Sequence, residues 1–144
     1  METARPTARP APGRVESRWW YWIAAAAAFW VLAYVLGVVG FVLGVGAFLG
    51  GVFFDPTVFV PGAFGLLFVV VVPLVLFGLL VSLVLPVALY LDAEAVGEAG
   101  VGWEPDPVLY ALVAAVGLFA QGLPVQPAVA VYYLYLRRRH VGTP

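Results

Sequence analysis

Side chains able to do chemistry are sparse in this chain, and where they stand limits what that chemistry could be. His140 is the only histidine; it lies among arginines near the C-terminal end, and the chain has no cysteine or lysine to partner it. Nucleophilic catalysis needs a base beside the nucleophile and a third group to orient the base. Ser82 sits in a long apolar stretch with no such neighbour. Without cysteine there are no disulfides, thiolate nucleophiles, iron–sulfur ligands or thiolate zinc sites. Without lysine no retinal Schiff base can form. The expectation is therefore no enzyme, with no catalytic residue, cofactor or metal site.

Five carboxylates, Asp92, Glu94, Glu98, Glu104 and Asp106, fall within one 15-residue stretch. Hard cations take oxygen ligands, but the alternating ligands and central glycine of an EF-hand are missing. The stretch reads as a solvated acidic loop over 92–107. Glu94 and Glu98 stand four apart and could share a helical face continuing from the segment before them. Asp55-Pro56 and Asp106-Pro107 look like helix starts, since a carboxylate can cap free amides and proline tolerates the first helical position.

The remaining polar candidates, Ser82, Gln121 and Gln126, lie inside apolar segments. An amide in lipid seeks a hydrogen-bonding partner, so helix-packing glue is the first reading for the glutamines. Pro124 and Pro127 flank Gln126 and leave carbonyls without donors, which would suit a small polar cavity at a kink and, as the alternative, a polar path for a small transporter or channel subunit.

What must position these residues is set by composition. Hydrophobic residues make up 64% of the 144 positions and charged residues 10%, far from the balance of a soluble domain. Segments 19–54, 59–91 and 108–136 contain no acid, arginine or histidine. About 20 helical residues cross a hydrocarbon core of about 30 Å, so each segment has length to spare for tilt, interfacial turns or proline kinks at Pro73, Pro86, Pro124 and Pro127. The expected fold is an all-α integral membrane protein with three long transmembrane helices. It would be a multi-pass protein of the cell membrane, with an Arg/Pro-rich disordered tail over 1–18 and a basic tail over 137–144. The apolar run from Trp19 is more than twice the length of a signal-peptide core and reads as an uncleaved span.

Interfacial chemistry marks the ends of the segments. Trp19, Trp20 and Trp22 open the first, Tyr90 closes the second, Trp103 precedes the third, and Tyr132 and Tyr133 finish it before Arg137, Arg138 and Arg139. Aromatic rings with a polar edge favour the headgroup layer. The arginines create a conflict: Arg5, Arg9, Arg14 and Arg18 ask for a cytoplasmic N-terminal tail, and Arg137 to Arg139 ask the same of the C-terminal one. Three crossings cannot satisfy both. Four can, if the first segment crosses twice with a turn near Gly37 and Gly40, and this is the alternative architecture.

The clearest internal pattern is a seam of small residues: Ala33, Gly37, Gly40, Gly44, Ala47 and Gly51, preceded by Ala26. Small residues let helix backbones approach in lipid, where burial gives no net drive. The partners implied are the bilayer itself and either a homo-oligomer or another membrane protein, if not a helix of the same chain. Basic residues confined to the tails leave no footprint for nucleic acid.

The ending Tyr132-Tyr-Leu-Tyr135-Leu-Arg137-Arg-Arg-His140, with Trp103-Glu-Pro-Asp-Pro-Val-Leu-Tyr110, resembles small uncharacterised multispan membrane proteins of haloarchaea. The resemblance covers about the last 55 residues and implies a source and an architecture; such families carry no activity to transfer. A single isoleucine, the absence of lysine and asparagine, and the acidic loop agree with a GC-rich, halophilic source. The functional expectation is a structural or accessory membrane protein that associates through helix packing.

Overall fold

The computed structural model describes residues 15–53, 56–120 and 123–142; the side chains of 56, 58–60, 63, 66 and 67 lie outside what is described, as do Gln121 and the arginines of the N-terminal tail before residue 15. Among the described residues the fold is all-helical, with α1 Trp20–Phe53, α2 Pro56–Glu98, α3 Pro107–Phe119 and α4 Val125–Val141. Two of these, α1 and the Phe68–Glu98 part of α2, are long and apolar enough to cross a membrane.

α1 and α2 form a long antiparallel pair, with 34 and 43 residues, or about 51 and 65 Å at 1.5 Å per residue. A tilt of 30 to 40° would bring α1 to roughly 40 to 44 Å, the thickness of a bilayer with its headgroup layers. α2 does not end where its apolar run ends at Leu91. It continues for another two turns to Glu98, and Gly100 and Gly102, at φ 61° and 82°, turn the chain toward α3. Glycine carries no penalty in that region.

The third apolar segment differs from expectation. It is not one span over 108–136 but two shorter helices, α3 of 13 and α4 of 17 residues, with a turn closed by the Leu123 amide donating to the Ala120 carbonyl at 2.9 Å. The two helices fold back on each other. Trp103, just before α3, and Tyr110, in its first turn, pack on Tyr133, midway along α4, with ring centroids 5.6 and 5.0 Å apart, and Trp103 stacks on His140, near the end of α4, at 5.3 Å. At about 20 Å, α3 is too short for a 30 Å hydrocarbon core.

The helix start at α3 follows the sequence: Asp106 accepts from the amides of Val108 and Leu109 at 2.9 and 3.1 Å, and Pro107 occupies the first turn, where it has no hydrogen bond to lose. Pro56 likewise opens α2, whereas Asp55 lies outside the described residues.

The core gathers where all four helices overlap. Among the described residues of α2 the buried positions are Gly78, Ser82, Leu85, Ala88, Leu89, Asp92, Ala93 and Val96, recurring every three to four residues, the signature of one packed helix face. On α4 they are Gln126, Val129, Ala130, Tyr133 and Arg137, and α1 contributes Ile23 and Ala26. Beyond this region the helices are wrapped in exposed apolar side chains, including Phe41, Phe48, Phe64 and Phe68.

Candidate functional site

The polar side chains of the core form two tiers, one at the end of the bundle and one within it. Three chain segments meet at the end tier. The Asp92 carboxylate, fully buried, accepts from the Ser17 hydroxyl at 2.5 Å, the Tyr133 hydroxyl at 2.9 Å and the Arg137 Nε at 2.8 Å. Arg137 is itself buried, and its guanidinium carbon lies 5.6 Å from the centroid of the Trp20 ring. Nothing about this pair is superficial: with side chains 4% and 0% exposed, each ion has lost its hydration and depends on the other and on the hydroxyls to replace it. Ser17 precedes α1, Asp92 belongs to α2, and Tyr133 and Arg137 belong to α4, so one carboxylate fastens the two long helices and the folded-back hairpin at the same end.

This corrects the expectation of a solvated acidic loop at its first member. Asp92 is buried because α2 runs on past Leu91 and keeps its packed face in phase, seven residues beyond Leu85. In the rest of the stretch Glu94, Glu98, Glu104 and Asp106 are exposed, but residues 92–98 are the last two turns of α2 and not loop, which places Glu94 and Glu98 on that helix. Among the described residues no group of three or more His, Asp or Glu side chains is placed to hold a metal ion.

About 15 Å deeper, at 1.5 Å per residue along α2 and α4, lies the inner tier. Pro86 has no amide hydrogen, so the carbonyl of Ser82, four residues earlier, loses its helical donor. The Gln126 amide supplies it: Nε2 donates to the Ser82 carbonyl at 3.1 Å and to the Ala114 carbonyl at 3.1 Å. Both amide hydrogens of a buried glutamine are thus spent on backbone oxygens of α2 and α3. The close approach of α3 and α4 that permits this depends on Gly117, where a Cβ would stand 2.6 Å from Gln126 Cγ and 3.3 Å from its backbone nitrogen.

The small-residue seam and the aromatic and basic ends are spread over the rest of the molecule. In the seam, Ala33, Gly40, Gly44 and Ala47 are partly covered, Gly51 is buried and Gly37 is exposed; a Cβ on Gly37, Gly40 or Gly44 would meet no described atom within 4 Å. Tight contacts are found at Gly117 and at Gly78, whose Cβ would meet the Phe29 ring at 3.3 Å. Of the aromatic and basic ends, Trp19, Trp22, Tyr132, Arg138 and Arg139 are exposed, Trp20 and Trp103 are half-buried, and Tyr133 and Arg137 belong to the core. Gln121 lies outside the described residues.

Sequence reasoning missed Ser17 and Asp92 as members of the end tier, and Pro86 as the reason for the inner one. A usable signal was present for two of them: Asp92 is in phase with Leu85 and Leu89, and Ser82 stands four residues before a proline within a helix.

No family model, curated protein or solved structure matches the chain.

Proposed function

We propose that this chain is a multi-pass membrane protein in which α1 and α2 cross the bilayer and α3–α4 enters as a re-entrant hairpin, and that it serves as a structural or accessory component associating through helix packing. Membrane insertion is supported by what the long helices expose. In the most apolar 18-residue stretch of α1 no residue is buried, and in that of α2 only 17% are, where the core helix of a soluble protein would be mostly buried. Apolar surface on this scale calls for lipid or for other proteins.

The re-entrant arrangement also removes the conflict between the two arginine-bearing ends. Ser17 and Arg137 meet on one carboxylate, so the segment carrying Arg18 and the segment carrying Arg137, Arg138 and Arg139 share a face. The positive-inside rule assigns that face to the cytoplasm. Neither the expected three crossings nor a first segment that crosses twice is needed to reach it.

The accessory role rests on one observation: the buried amide of Gln126, the side chain best placed to contact a cargo, has both its hydrogens on backbone carbonyls of neighbouring helices. That is the geometry of helix glue. The discriminating experiment is Gln126→Leu in reconstituted vesicles. A packing role predicts lower thermal resistance with unchanged vesicle permeability to small solutes, whereas a transport role predicts loss of a protein-dependent flux with the assembly intact.

A further inference from the structure

Beneath the tip of the α3–α4 hairpin, against the two long helices, lies a cavity of about 360 Å³. Phe29, Trp30 and Tyr34 of α1 form an aromatic wall, and Gly78 and Ser82 of α2 and Gln126 of α4 also line it. Three properties restrict what it could hold. No Asp, Glu, Arg or His lines it, and a charged group at this depth would find no counter-ion, so the occupant is neutral. One wall is aromatic, which suits a flat ring that can stack. The third property is an unfilled hydrogen bond: the Trp30 Nε1 hydrogen, buried, has no acceptor, the single such side-chain atom among the described residues, while the Gln126 amide hydrogens are already engaged.

Depth narrows the choice further. Trp30 is about 15 Å along α1 from Trp20, and Ser82 about the same distance along α2 from Asp92, which puts the cavity near the middle of the hydrocarbon layer if the end tier lies at the interface. Ester and ether oxygens of lipids stay at the headgroup boundary. A molecule bringing an oxygen acceptor to this depth must itself partition into the bilayer interior.

We infer that the cavity is a binding site for a neutral, planar carbonyl compound with an apolar tail, of the quinone class, whose carbonyl oxygen accepts the Trp30 Nε1 hydrogen after a small rotation of the indole. The site binds; no redox step is part of it. It rests on the membrane reading for the cavity's depth, but its test in detergent is independent of topology, so the two can fail separately.

The probe is decylubiquinone, added to the purified full chain in detergent, with tryptophan fluorescence quenching and thermal resistance as readouts. Decylbenzene, which has the tail and a ring but no acceptor, is the comparison. Saturable quenching with a rise in thermal resistance is expected for the parent. Trp30→Phe should weaken binding about tenfold, the equivalent of one hydrogen bond, and Ala33→Phe, which fills the cavity from α1, should abolish it. Non-saturable quenching would overturn the assignment. So would equal binding of decylbenzene by the parent, which needs no variant to fold, or undiminished binding by Ala33→Phe; either result would leave the cavity to lipid tails alone.

Discussion

Gln126 donates a hydrogen bond to the carbonyl of Ser82, the oxygen that Pro86 deprives of its own helical donor. A proline inside a long helix ordinarily carries a cost of about 3 kcal/mol, part of it the lost hydrogen bond. Here a side chain from another helix restores that bond, and the kink-prone point of α2 becomes the point where the hairpin attaches.

The relationship can be measured by a double-mutant cycle. Gln126→Leu should lower stability by about 1 to 2 kcal/mol, because it leaves the Ser82 carbonyl without a donor in an apolar setting and removes a second bond to the Ala114 carbonyl. Pro86→Ala gives Ser82 a helical donor again, so the loss caused by Gln126→Leu should be smaller in that background. Thermal resistance in detergent of the parent, both single variants and the double variant would show it; strictly additive effects would mean that proline and glutamine are not linked.

Breaking the end tier from one side should be expensive. Arg137→Met strands the Asp92 carboxylate in the core, and loss of one member of a buried ion pair typically costs about 3 to 5 kcal/mol. Combining it with Asp92→Leu removes the stranded charge and should recover most of the loss. Tyr133→Phe, which leaves the ion pair intact, should cost only about 1 kcal/mol. Denaturation midpoints in mild detergent for these variants and the parent would establish the ranking, and an Arg137→Met protein as stable as the parent would contradict the buried pairing.

The glycines should divide into two groups. Gly117→Ala places a methyl group 2.6 Å from Gln126 Cγ and should cost about 1 to 3 kcal/mol through overpacking. Gly37→Ala and Gly40→Ala meet no described atom and should be neutral or slightly stabilising, since alanine favours a helix over glycine by up to about 1 kcal/mol. For the seam as a surface between chains, the informative pair is Gly44→Ile against Val45→Ile. Dissociation of an oligomer by the first alone would identify the seam as an interface between copies, and identical behaviour would mean that its glycines are compositional.

Much of this architecture was legible in the sequence. Apolar segments without charge marked two of the long helices, and Asp106-Pro107 marked the start of α3 with its cap. The reversal after Ala120 was not legible, because Leu118, Phe119, Leu123 and Val125 keep the hydropathy high through the turn and apolar character does not distinguish a helix that continues from one that folds back. Asp92 was misplaced for a related reason. Composition turns polar at Leu91, but a helix ends where its hydrogen bonding ends, and α2 keeps its packed face in register to Val96. Arg137 and Tyr133 were assigned to the interface by residue type alone, whereas their spacing of four and their phase with Gln126 and Ala130 put them on the face that α4 buries.

If the third apolar segment turns back within the membrane, both ends of the chain lie on one face, and the absence of native cysteine makes that directly measurable. Single cysteines at Thr7, Ala99, Thr143, Phe53 and Leu123 are each exposed to a membrane-impermeant thiol reagent, first in intact cells and then in inverted vesicles. A re-entrant hairpin predicts that Thr7, Ala99 and Thr143 react only from the cytoplasmic side, that Phe53 reacts only from the opposite side, and that Leu123, at the hairpin tip, is protected from both until detergent is added. Labelling of Thr7 and Thr143 from opposite sides would contradict it, and labelling of Leu123 from the same side as Phe53 would show that the hairpin crosses the membrane.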